Sequence, residues 1–153
     1  MPTNVKLEDM YPVIAQVLEE NGEVSFKTHG ISMHPMLANG RDTVTLKKVS
    51  GRLKKYDLPF YRRDNGQFVL HRIVGINSDG YITRGDNQYV NEYGVRDDQI
   101  IGVVVSFVRK GKEHKVTDFS YKLYCVLRCN PLSVFLHKLK FKIAAKIFKK
   151  SNI

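Results

Sequence analysis

The chain has 153 residues, 42% of them hydrophobic, which suffices for one domain with a buried core and excludes a disordered chain. Residues 1–108 carry 13 basic and 13 acidic side chains, whereas 109–153 carry 12 basic side chains against Glu113 and Asp118, so the whole net charge of +10 sits in the tail. A neutral body with a basic tail is not a uniformly basic nucleic-acid binder; it describes a body joined to a segment that meets something anionic.

Cys125 and Cys129 stand four apart, which is neither a disulfide framework nor a zinc spacing, and no cofactor or metal is implied. The opening residues carry acidic side chains on both sides of a short apolar run, unlike a secretory signal peptide. No stretch reaches the ~18 apolar residues of a membrane span.

In chain order, Tyr11, Ile14, Ala15 and Leu18 recur at helical spacing, which predicts a helix over 7–20 ended by Asn21 and Gly22. Short strands separated by turn residues follow at 24–29, 42–49, 56–63, 68–76, 81–86 and 100–110. The tail reads as helix over 120–129. Asn130 then caps a second helix with Pro131 at its first position. In that second helix Leu132, Phe135, Leu136, Leu139, Ile143 and Ile147 line one side, and Lys138, Lys142, Lys146 and Lys149 crowd the polar surface, with Lys140 and Lys150 nearby. Phe141 and Phe148 add to its apolar surface, and the pattern is that of a basic amphipathic helix suited to an anionic membrane surface. The expected fold is mainly β, a small coiled, barrel-like domain over 1–112 with an N-terminal helix, followed by a basic helical tail over 113–153.

Two stretches hold residues that could do chemistry. "THGISMHPML" (28–37) puts Ser32 in a bend rich in Gly and Pro, and "FVLHRIVGI" (68–76) puts His71 in an otherwise apolar strand. A serine hydroxyl needs a base within reach and donors for the developing oxyanion, and a histidine of ordinary pKa, about 6.5, is the natural base. A third group should orient the imidazole; Asp86 and Glu92 in "TRGDNQYVNEYGV" (83–95) are the candidates. Each feature also has a plain structural reading, as a turn or a core residue.

The order and spacing of "GISMHPML", "LHRIVGI", "ITRGDNQYVNE" and "IIGVVV" resemble the type I signal peptidases, over about residues 24–110. That family shares a β-rich fold with the self-cleaving SOS-type repressors. The resemblance implies that Ser32 is the nucleophile and that His71, followed by Arg72, is the base, as in the endoplasmic-reticulum-like branch. Bacterial members usually have lysine there. Asp86 maps onto the Gly-Asp of the family, and Glu92 stands where aspartate is usual. Gly30 replaces the usual serine two residues before the nucleophile, which leaves the oxyanion to backbone N–H groups, chiefly that of Ser32. No N-terminal anchor of the kind the family carries is visible.

The resulting expectation is a serine endopeptidase that cleaves extended peptides such as signal or leader sequences, without nucleic acid as partner. It is held peripherally on a membrane, at the cytoplasmic face, by its tail. Activity should rise through an ionisation near pH 6–7. Asp86 is preferred over Glu92 as the orienting acid, because a hairpin places it beside the His71 strand while Glu92 falls in a loop. His34 is read as loop or groove lining, and Arg72, on the opposite strand face from His71, as one half of a structural ion pair. The alternatives are a repressor-like self-processing or regulatory peptidase and a non-catalytic membrane-surface protein.

Overall fold

A computed structural model describes residues 7–20 and 22–151. Asn21 and the side chains of Phe148, Lys149 and Lys150 lie outside the described part.

Helix α1 (Leu7–Glu19) turns Ile14 and Leu18 into the core and ends where the Gly22 N–H meets the Val17 carbonyl at 2.9 Å. Strands β1 (Glu23–Lys27), β2 (Thr43–Lys47) and β3 (Pro59–Arg62) follow, then β4 (Phe68–Leu70), β5 (Arg72–Asn77), β6 (Gly80–Arg84) and β7 (Glu92–Val95). The long strand β8 (Ile100–Arg109) turns back into β9 (Lys112–Lys115), and the chain ends in α2 (Phe119–Cys129) and α3 (Pro131–Ser151).

All strand pairings are antiparallel and form two sheets. The larger runs β1-β2-β8-β3-β4, with β9 also on β8; the smaller runs β5-β6-β7. β8 organises the larger sheet: β2 takes one edge, while β3 and β9 take successive halves of the other. One core lies between this sheet and helices α1 and α2, with Ile14, Leu18, Leu46, Phe60, Val104, Tyr121 and Cys125. A second, built on Tyr61, Val69, Ile73, Tyr81 and Val95, joins the two sheets.

Three expectations change. The fold is mixed rather than mainly β, with 31% helix and 33% strand, and no barrel closes. The reason is that α2 belongs to the body: Tyr121 and Cys125 bury their side chains in the main core. The boundary expected at residue 112 falls on the first residue of β9, inside the β8–β9 hairpin. The single strand expected over 68–76 is two strands, one in each sheet, and the break between them is His71. The Asn130 cap forms as expected, with its side-chain oxygen accepting from the Leu132 N–H at 2.9 Å.

Candidate active site

The bend at Ser32 is shaped by its neighbours. Met33, Met36 and Leu37 recur at the spacing of one helical turn and all bury in the main core. That fixes the backbone and leaves Ser32 half-buried at the surface, beside the exposed Ile31. Gly30 adopts φ +87°, the left-handed region that favours glycine, with open space where a Cβ would sit; backbone conformation, and not crowding, selects glycine there. The far end of the bend is tied by Asp42, whose carboxylate accepts from the Ala38 N–H at 2.8 Å and the Lys110 N–H at 3.2 Å. The Arg41 guanidinium and these N–H groups together hold that carboxyl well below the usual carboxylate range. The Ser32 N–H has no backbone acceptor among the described residues.

The segment Gly85-Asp86-Asn87 docks directly onto this bend. The Asn87 N–H donates to the Ser32 carbonyl at 2.7 Å. A Cβ on residue 85 would come within 2.6 Å of that same carbonyl oxygen, so Gly85 is required by close approach.

Ser32 and His71 line one groove of about 990 Å³. Phe26, Met33, Leu37, Phe60 and Phe68 give it an apolar wall; Arg63, Gln67, Asn87 and Gln88 supply polar groups. An adjoining cavity of about 440 Å³ also includes His71, and Glu92 lines this second space. His71 is thus common to both, with Ser32 in one and Glu92 in the other. A third, polar cleft of about 450 Å³ beside α1 contains no serine, cysteine or histidine.

His71 is only 6% exposed, and its Nδ1 has no hydrogen-bond partner among the described residues. Buried polar atoms are nearly always paired; among the described residues Arg109 Nε and His137 Nε2 share this state with His71 Nδ1. The nearest acid is Glu92, with Oε2 at 3.8 Å from Nδ1. Burial pushes the imidazole down to about 4, outweighing the opposite pull of Glu92, so the ring is neutral at neutral pH and this approach is not an ion pair there. About 1 Å of movement would close it to a hydrogen bond.

Glu92 is itself held in place. Arg63 grips it with two donors, at 2.7 and 2.6 Å, and the Tyr61 hydroxyl donates at 2.7 Å. Burial raises its pKa, but these hydrogen bonds outweigh burial and leave the carboxyl below its ordinary value. Glu92 does not fall in a loop: it opens β7 and pairs with Thr83 of β6.

Asp86, preferred from the sequence as the orienting acid, is committed elsewhere. Both its oxygens accept from Arg72, at 2.8 and 2.7 Å, and one also accepts from the Tyr124 hydroxyl at 2.9 Å. The Arg72 ion pair is therefore made with Asp86, and the carboxylate beside His71 is Glu92. His34 is exposed and is not among the groove residues. Sequence reasoning missed Arg63 and Tyr61, which fix Glu92, and Phe141 of α3, which borders both cavities. Tyr61 lies in β3 and Arg63 just past its end, and nothing local in the sequence links them to a partner 31 and 29 residues away. Among the described residues no three His, Cys, Asp or Glu side chains gather as a metal site. No family model, no curated protein and no solved structure matches this chain.

Proposed function

We propose that the protein is a serine endopeptidase of the signal peptidase I type, which cuts extended peptides such as leader or signal sequences. The observation that carries this reading is the shared groove: Ser32 and His71 line it, and Glu92 lies 3.8 Å behind a buried, unpaired imidazole nitrogen. In the proposed reaction Ser32 Oγ attacks the scissile carbonyl carbon while its proton passes to His71. The Ser32 N–H stabilises the oxyanion. Collapse breaks the C–N bond, the proton on His71 leaves with the amine, and an acyl-enzyme remains. Water then gives a proton to His71 and attacks the ester; Ser32 regains its proton as the acid departs. Glu92 stabilises the imidazolium that forms twice in this cycle. An extended substrate would add to the outer edge of β1, which has no strand partner among the described residues and whose Ser25, Phe26 and Lys27 border the groove.

The test is covalent labelling with a fluorophosphonate probe together with cleavage of extended peptides. One label per chain on Ser32 is expected, absent from Ser32→Ala. Ser32→Ala and His71→Ala should each lower kcat by at least ~10³, with the double variant scarcely worse, because the two act as a unit. Cleavage by Ser32→Ala at the wild-type rate removes the mechanism. Failure of the wild type both to label and to cleave leaves a non-catalytic surface protein, and a cut confined to the chain itself makes it a self-processing domain.

A further inference from the structure

We propose that the outward face of α3 is a docking surface for an anionic membrane. The body packs against one face of the helix and covers it only in part, Phe141 there remaining 44% exposed; the opposite face meets none of the body. On the inner face Val134 and His137 are half-buried, and the Phe141 ring lies 5.8 Å from that of Tyr89. On the other face Leu132, Leu136, Leu139, Ile143 and Ile147 step by three or four residues and are 65, 48, 43, 48 and 64% exposed. At 3.6 residues per turn this row is centred about 150° around the axis from the inner one. No helix among the described residues is long and apolar enough to cross a membrane, so the contact is interfacial.

Charge identifies the occupant. α3 contains no acidic residue. Lys138, Lys142 and Lys146, all exposed, follow each other at steps of four along one flank of the apolar row, and the exposed Lys140 lies on its other flank. Lysines on both borders of an apolar stripe can bury their methylene stems while their ammonium groups reach lipid phosphates. A second copy of this helix would bring the same lysines together with no carboxylate on either to answer them. Nucleic acid would meet the lysines but leave five aliphatic side chains in water. The adjoining α2 also turns apolar side chains outward, with Phe119 81% and Leu127 60% exposed.

The docking surface stands independently of the chemistry at Ser32, but it sits close to it. Phe141 borders the groove from the inner face of α3, so groove wall and docking surface are opposite sides of one helix, about 10 Å thick.

The test is flotation of the full chain with phosphatidylcholine vesicles, with and without phosphatidylglycerol. Binding should require the anionic lipid and weaken with salt. The triple variant Lys138→Glu, Lys142→Glu, Lys146→Glu should lose more than a hundredfold in partitioning, since each lysine near such a surface contributes about fivefold. Leu136→Asp with Ile143→Asp should abolish binding, whereas Lys54→Glu with Lys55→Glu, on the body, should change it less than twofold. Because the chain has no tryptophan, Leu139→Trp gives a second readout: its emission should shift to the blue on adding anionic vesicles. Unchanged binding by the lysine or aspartate variants, wild-type indifference to phosphatidylglycerol, or no emission shift overturns the proposal. So does a dimer in sedimentation that Ile143→Asp dissociates, which would assign the face to a second copy. None of these readouts depends on peptidase activity.

Discussion

His71 and Arg72 are consecutive, both buried and both within reach of a carboxylate, yet they are treated in opposite ways. Arg72 is fully buried and fully answered: two oxygens of Asp86, the Tyr121 hydroxyl at 2.8 Å and the Tyr56 carbonyl at 3.2 Å receive its donors. Burial works against its charge, but Asp86 outweighs burial and keeps the guanidinium ionised. Its contacts to Tyr121 and Cys125 of α2 and to Met36 of the Ser32 bend tie three parts of the chain together. His71 faces the groove with Nδ1 unpaired and its acid 3.8 Å away. One position completes its polar contacts and ties the fold together; its neighbour leaves one ring nitrogen without a hydrogen-bond partner among the described residues. Alternation of side chains along an extended backbone is what sends the two to different surroundings.

The largest effect should come from breaking the completed pair. Arg72→Met keeps much of the volume but leaves Asp86 buried without its cation, and removing one partner of a buried pair costs about 3–5 kcal/mol. Urea unfolding should show a loss of that size. A loss under ~1 kcal/mol would mean that water, and not Arg72, satisfies Asp86.

Next in size is an acid-dependent loss of stability that belongs to His71. Above about pH 6.5 the imidazole is neutral in both folded and unfolded chains. As pH falls below that value the unfolded chain takes up a proton that the folded chain, with His71 held down to about 4, refuses; stability therefore drops across that window and levels off beneath it. The total is on the order of 3 kcal/mol. Glu92, held below its ordinary value, adds a loss in the same direction at still lower pH. His71→Gln should remove the upper part of this pH dependence. If the site is a peptidase, the same burial moves the ascending limb of kcat/KM from the pH 6–7 expected of an ordinary histidine toward about 4. A limb centred at 6.5 would show that the imidazole meets water in solution.

These contrasts explain how much could be read in advance. Helical periodicity gave α1, α2 and α3 within about one residue, and the Asn130–Pro131 junction identified the start of α3, because caps and apolar spacing are local properties. β7 and β9 were missed. "EYGV" is four residues with a glycine at φ +75°, too short for its alternation to stand out, and "KEHK" is wholly polar. The sheet change at His71 is invisible in "FVLHRIVGI", since both halves are apolar and only long-range pairing separates them. That Glu92 and not Asp86 lies beside His71 was hidden for a similar reason: Asp86 is close in sequence to the right strand, but its oxygens accept from Arg72 and Tyr124, 14 residues before and 38 after it.

A smaller effect separates those acids by function. Under the peptidase reading, Glu92→Gln should lower kcat by roughly 10- to 100-fold while the protein stays folded, because it weakens support for the imidazolium. Asp86→Asn should instead lower stability and leave the pH profile of the surviving folded protein unchanged. The two profiles, measured on material of matched folded fraction, decide it; a displaced profile for Asp86→Asn alone would restore Asp86 as the orienting residue.

The smallest effect concerns Gly30, where sequence and geometry pull in different directions. A serine at this position could in principle add a hydroxyl to the oxyanion donors. The backbone there has φ +87°, a region that costs an L-residue roughly 1–2 kcal/mol, although a Cβ would meet open space. Gly30→Ser and Gly30→Ala should therefore lose stability by the same amount, about 1 kcal/mol, since the strain lies in the backbone and the two side chains share it. Gly30→Asn should lose less, because asparagine tolerates the left-handed region. Peptide cleavage reads the other half of the question. If the Ser32 N–H is the principal donor, Gly30→Ser should cleave no faster than Gly30→Ala once both are corrected for folded fraction. A tenfold advantage for serine would mean that the groove retains an oxyanion position which the backbone alone leaves short of a donor.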